Sequence, residues 1–142
     1  MAEAFLRKDG SDRFDVHSAG LEPTEIHPFT HRVMAEVGSP LAGHDAKSVR
    51  GFLGKLAVHH LIIVCERTER DCPKLFLGAL RRHFWPFVDP AAIQGDPDIQ
   101  LRAFREARDG IERRVLEWLR DPDAAADEVP EAARFDGGVK QP

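Results

Sequence analysis

Five consecutive apolar residues, Leu61-Ile62-Ile63-Val64-Cys65, run directly into a charged segment, Glu66-Arg67-Thr68-Glu69-Arg70-Asp71, that ends at Cys72-Pro73. An unbroken, β-branched run of this length is what a strand covered on both faces requires, and such strands belong to parallel sheets flanked by helices. Residues 58–65 are therefore expected as a strand whose last residue is a thiol. The second thiol follows after six residues without an apolar side chain among them. A disulfide needs Cα atoms within about 7 Å, and six loop residues can fold back that far. Cys65 and Cys72 are thus a candidate pair for forming and breaking a disulfide, although a strand-end cysteine can equally be an inert buried thiol.

The remaining composition narrows the classes. A chain of 142 residues, 42% apolar and 31% charged, has the balance of one soluble globular domain with a real core. The net charge of −4 comes without a basic stripe, which argues against nucleic acid. The apolar stretch from Leu56 to Cys65 is interrupted by His59-His60 and is too short to span a bilayer. Met-Ala-Glu-Ala-Phe-Leu-Arg lacks the order of a signal peptide. A cytoplasmic location is expected, where a cysteine pair is more often catalytic, redox-sensing or metal-binding than structural.

Around the central strand the pattern alternates between periods. Residues 1–8 predict a helix with Ala2, Phe5 and Leu6 inward and Gly10 as its stop. Arg13 to Ser18 alternates as a half-buried strand does. Pro28 suits the first turn of a helix to Val37, with Phe29, Val33, Met34 and Val37 inward and Gly38 capping it. A short helix is expected over 47–56 and a second strand over Arg82–Phe87. Asp96-Pro97-Asp98 opens a long helix with Leu101, Phe104, Ile111, Val115 and Trp118 on one face. Arg102/Glu106 and Asp109/Arg113 are spaced as i,i+4 pairs on its other face. From Asp121 to Pro142 the chain is acidic, alanine-rich and poor in apolar residues, the composition of a disordered tail. The expectation is an α/β domain over 1–120 with a parallel sheet.

Four landmarks in this order resemble a known family: Met1-Ala2-Glu3-Ala4-Phe5-Leu6-Arg7, Val16-His17-Ser18-Ala19-Gly20-Leu21, Val64-Cys65 with Cys72-Pro73, and Trp85-Pro86-Phe87-Val88-Asp89-Pro90. They are similar to the thioredoxin-coupled arsenate reductases, which share the low-molecular-weight protein tyrosine phosphatase fold, a flavodoxin-like sheet. The resemblance covers about residues 1–120. It implies that Cys65 and Cys72 are resolving cysteines and that Asp89 is the acid that protonates the leaving oxygen. It also implies an arsenate or phosphate-type oxyanion as substrate and a thioredoxin-type thiol donor as partner, with no bound cofactor and no metal.

The resemblance also implies something these residues do not contain. The family opens with a central strand and a Cys-x5-Arg loop that supplies the nucleophile. Here Cys65 is followed six positions later by Asp71, and Cys72 by Gly78. The reaction needs a thiolate of lowered pKa, backbone N–H groups around the oxyanion, an acid, and further thiols to resolve the adduct. Only the acid and the resolving thiols have counterparts. The expectation is an N-terminally shortened chain, inactive alone, whose first central strand would have lain between Arg13–Ser18 and Val58–Cys65. A strand edge left exposed in that way could pair with a second copy. A non-catalytic thiol pair, for redox sensing, arsenite capture or partner binding, is the alternative.

Other groups read as ordinary surface or core. His27 and His31 are spaced i,i+4 but are expected to be solvated. His59 and His60 point to opposite faces of a strand, and two cysteines fall short of a structural zinc site.

Overall fold

The computed structural model describes residues 1–65 and 79–124, with the backbone alone at Cys65. Among the described residues the order of elements is α1 (Ala2–Gly10), α2 (Pro28–Glu36), β1 (His60–Cys65), β2 (Arg81–Phe87) and α3 (Pro97–Arg120), with 3-10 turns at Ser11–Arg13, Val49–Gly51 and Pro90–Ala92. Cys72 and the 125–142 tail lie outside the described residues.

β1 and β2 are parallel, with His60 opposite Arg81, Leu61 opposite Arg82, Ile62 opposite His83 and Ile63 opposite Phe84. The register then slips, so that Cys65 lies opposite Phe87. The extra residue falls at Trp85-Pro86, and Pro86 has no N–H for a ladder, so a bulge is where a strand tolerates it. The predicted parallel sheet is therefore present, with both strands within two residues of their expected limits.

α3 is the backbone of the core. Its N-cap Asp96 accepts from the Asp98 amide at 2.8 Å, and Pro97 occupies its first turn. Its stripe buries Leu101, Phe104, Ile111, Val115 and Trp118, as the period predicts. The main cluster joins Ile111, Val115, Trp118 and Leu119 to Phe5 and Leu6 of α1, Met34 of α2, and Trp85 of β2. A smaller cluster joins Leu101 and Phe104 to Val33. α2 begins at Pro28 as expected, but His27 is not merely solvated: its Nδ1 accepts from the Phe29 amide at 3.1 Å, capping the helix, and its ring stacks on Phe104. Gly38, at φ +69°, provides the left-handed turn after α2.

The charged face of α3 is wired differently from the expected i,i+4 pattern. Arg105 forks onto Glu36 of α2, its Nε and Nη2 donating at 3.0 and 2.7 Å. Arg108, itself buried, donates to the Val33 carbonyl and to Glu36, both at 2.9 Å, and takes Asp109 at 2.7 Å. Asp109 thus pairs with Arg108, not Arg113. The hydrogen bond from Arg105, assisted by Arg108, holds the Glu36 carboxyl down at about 2.

Two expected elements are corrected. Residues 47–56 form only a 3-10 turn, Val49–Gly51, followed by further turns, because Gly51 and Gly54 (φ +71°) interrupt any helical run. Arg13–Ser18 is not a strand. A 3-10 turn ends at Arg13, Phe14 is extended, and the strand-like pairing nearby among the described residues is the parallel bridge of Gly20 with Ser48. Alternation supplies the right side chains, but a strand exists only as half of a ladder, and this segment has no ladder partner among the described residues.

Candidate functional site

Parallel strands present their carboxyl ends to ligands in open α/β sheets, and two of the site residues expected from the sequence, Cys65 and Asp89, lie at that end. Cys65 is the last residue of β1, and its backbone lies opposite Phe87, the last residue of β2. Asp89 follows Phe87 by two residues. The bulge at Trp85-Pro86 brings these positions level, because without it Cys65 would lie opposite Pro86. The structure thus brings Cys65 and Asp89 to one end of the sheet; Cys72 lies outside the described residues.

Asp89 is exposed, and its Oδ1 accepts from the Ala91 amide at 2.9 Å, capping the 3-10 turn Pro90–Ala92. One carboxylate oxygen is therefore engaged by its own backbone. A carboxylate has lone pairs to spare, so the cap leaves the other oxygen available for acid–base work.

The amino end of the same sheet holds a second cluster that the sequence reading did not find. His60 Nδ1 lies 3.1 Å from His83 Nε2, and the Trp118 indole nitrogen lies 3.4 Å from that same Nε2. Indole can only donate, so His83 Nε2 is the acceptor and His60 Nδ1 carries the hydrogen of the pair. His83 is buried, at 3% exposure. Burial lowers the pKa of His60; Asp123, 4.0 Å from its Nε2, opposes that effect. His60 does face away from His59, as expected for a strand. Its partner lies on β2, two residues beyond Arg81, and only the strand register discloses it. Among the described residues no group of three or more His, Cys, Asp or Glu could hold a metal.

Two hollows flank this framework. The wider, about 910 Å³, lies between residues 23–26 and 40–46 and is shallow. The deeper, about 550 Å³, separates Phe14–Ala19 from the β1 edge, with Ala2, Glu3, Leu6 and Trp118 also lining it. Glu3 is buried there and gathers two cations, Arg7 at 2.8 Å and Lys47 at 3.7 Å, with the His44 ring nitrogen at 3.9 Å, while the Ser18 hydroxyl donates to its other oxygen. This carboxylate ties α1 to the extended segment, a role for which its place in the α1 face gave no signal.

The model of the low molecular weight phosphotyrosine protein phosphatases matches residues 1–130. The chain belongs to that family. Within the phosphatase family its relatives include an arsenate reductase of Halalkalibacterium halodurans, 30% identical over 115 residues that cover 81% of each chain. Another is an arsenate reductase of Shouchella clausii, 30% identical over 118 residues, covering 83% of this chain and 84% of the relative. Two solved arsenate reductases, one in a reduced state and one in a phosphate-binding state, superpose with TM-scores of 0.66 and 0.63, each at 25% identity and covering 84% of this chain and 85% of theirs. The α/β phosphatase-like architecture expected from the sequence is confirmed by these matches. No helix among the described residues is long and apolar enough to cross a membrane.

Proposed function

We propose that this chain carries the relay half of an arsenate reductase: Cys65 and Cys72 accept and pass on a disulfide, and Asp89 protonates the departing oxygen. Reducing arsenate to arsenite takes two electrons. Two thiols supply them on becoming one disulfide, and the oxygen lost from arsenic leaves as water with two protons. A thioredoxin-type dithiol then reduces the disulfide by thiol exchange. The reading is supported above all by the common position of Cys65 and Asp89 at the carboxyl end of the β1–β2 pair. The arsenate reductase relatives supply the chemistry, and the phosphate-binding neighbour supplies the class of oxyanion.

These 142 residues contain no Cys-x5-Arg, and loss of a covalent nucleophile removes a pathway rather than slowing it. The chain by itself is therefore proposed to be without arsenate turnover while remaining competent in thiol exchange. The missing motif also favours the second reading, a non-catalytic thiol pair. Thiol counting before and after mild oxidation, followed by addition of reduced thioredoxin, tests the relay. Loss of both thiols with no change in mass beyond two hydrogens, reversed by thioredoxin, is expected. Two free thiols persisting under oxidant would sink it. Arsenate turnover above blank by this chain would overturn the inactivity, and a disulfide that thioredoxin cannot reduce would favour the non-catalytic reading.

A further inference from the structure

Asp89 is exposed, and its hydrogen bonds close its own turn: its carboxylate accepts from the Ala91 amide at 2.9 Å and its carbonyl from the Ala92 amide at 3.1 Å. These bonds set the shape of the turn but not where it stands. Its place is set by the residues that lead into and out of it, and α3 touches both. Ahead of the turn, the half-buried Phe87 ring lies on Gly110, in the interior of α3; a Cβ added at that glycine would meet Phe87 Cε1 at 3.2 Å and Cδ1 at 3.8 Å. Behind the turn, the side-chain amide of Gln100, near the start of α3, donates to the Ile93 carbonyl at 2.9 Å. We propose that Gly110 and Gln100 are positioning residues that clamp the Asp89 turn from α3 and hold the acid at a fixed place relative to Cys65.

Gly110 is costly where it stands. A glycine in a helix interior is less favourable than alanine, and α3 runs unbroken through it from Pro97 to Arg120. What the absent Cβ provides is the close approach of Phe87. That residue also lies opposite Cys65 across the ladder, so the seat of its ring on α3 is tied through one backbone to both Cys65 and Asp89. Gln100 acts on the other flank. A helix rises about 1.5 Å per residue, which sets Gln100 and Gly110 roughly 15 Å apart along α3. The chain from Phe87 to Ile93 bridges that span with Asp89 inside it. Two contacts this far apart fix the direction of the turn as well as its distance; one contact would leave it free to swing. The proposal rests on the reading of Asp89 as the proton donor, a role in which a misplacement of about 1 Å can cost about 10²-fold in rate.

The test uses the whole chain and backbone NMR. Gln100→Glu keeps the shape of the side chain but replaces its donor with an acceptor, which cannot bond a carbonyl. An acid near the start of a helix also suits its dipole, so the melting temperature should not fall. The order parameters of the Asp89, Ala91 and Ala92 amides should drop from about 0.85, the value of a rigid backbone, to below about 0.6. Those of the Phe104–Arg108 amides should stay as they are. Gly110→Ala should shift the Cys65 and Val88 amide signals, and that shift should vanish when the same substitution is made beside Phe87→Leu, which lacks the ring edge. Unchanged order parameters in Gln100→Glu would show a turn that holds itself and would overturn the clamp. So would a melting temperature that falls as all of α3 loosens together, which would make Gln100 a residue of helix stability alone. A Gly110→Ala shift of equal size with and without the Phe87 ring would overturn it too. No arsenate enters these measurements. A failed clamp is therefore told apart from a failed assignment of the acid, which shows as a parental arsenate rate for Asp89→Asn in a chain that carries a Cys-x5-Arg loop.

Discussion

The two ends of the β1–β2 sheet are built for different purposes. At the amino end part-buried His60 and buried Trp118 both bond to buried His83, and Phe14 and Trp85 pack on Trp118. At the carboxyl end the backbone of Cys65 meets Phe87, Val88 is 74% exposed, and exposed Asp89 accepts from its own turn. The same two strands therefore anchor at one end and present groups to solvent at the other. Under the proposed function, stability and chemistry separate along a distance of five residues. Substitutions at the amino end should cost folding free energy, and those at the carboxyl end should cost chemistry.

The largest expected effect is at Trp118. Its ring touches Phe14, His60, His83 and Trp85, and it is 6% exposed. Trp118→Ala should lower the unfolding free energy by about 3–5 kcal/mol, a large fraction of the 5–15 kcal/mol typical of a domain. Urea denaturation measures this; a loss below about 1 kcal/mol would mean that the amino end is not an anchor. Next comes His83→Ala, which leaves the Trp118 and His60 donors without their common acceptor. Stranding buried donors costs about 1–3 kcal/mol each. The loss should exceed that of His17→Ala, where the imidazole is a third exposed, touches the Phe52 ring and pairs with exposed Asp15, so that no buried donor is stranded.

A pH titration sharpens the same contrast. Burial lowers the pKa of His60 in the folded chain, so below about pH 6.5, the ordinary histidine value, the unfolded chain binds the extra proton first. Stability from the neutral His60–His83 pair is thus present above that pH and declines as the pH falls below it. The melting temperature should drop between pH 7.5 and 5, and His60→Asn should flatten that drop. An unchanged slope in the variant would place the acid sensitivity elsewhere. Glu36 contributes in a lower window: its carboxyl, held down at about 2 by Arg105 and Arg108, keeps its contribution until the pH falls below about 4.5 and then loses it.

How far the sequence disclosed this molecule depended on whether a pattern was local. α3 was legible almost to the residue, because Asp96-Pro97 marks its start and a 3.6 period marks its buried face. The run Leu61–Cys65 named β1, and the four landmark segments named the family. Arg13–Ser18 misled because alternation describes side chains, whereas a strand needs a neighbour that no local pattern can supply. The His60–His83 contact and the Glu36–Arg105–Arg108 junction joined residues 23 to 72 positions apart, visible only once register and helix packing are known. Of the candidate site, the resemblance singled out Cys65, Cys72 and Asp89, but no local pattern disclosed the bulge that sets Cys65 opposite Phe87.

Asp89 is where the two ends can be set against each other within one residue. Its carboxylate caps the Pro90–Ala92 turn, and the proposed chemistry asks the same group for a proton. Asparagine retains an oxygen that can accept from the Ala91 amide, so Asp89→Asn should leave stability within about 0.5 kcal/mol of the parent. Asp89→Ala removes the cap and should cost about 1 kcal/mol. A proton donor has no such tolerance, because the amide of asparagine cannot deliver one at neutral pH. In a form of the protein that also carries a Cys-x5-Arg loop, both variants should slow arsenate reduction by about 10²–10⁴-fold, although only alanine loosens the turn. If Asp89→Asn retained the parental rate while Asp89→Ala lost it, Asp89 would be a turn residue and the proton would have to come from another group at the carboxyl end of the sheet.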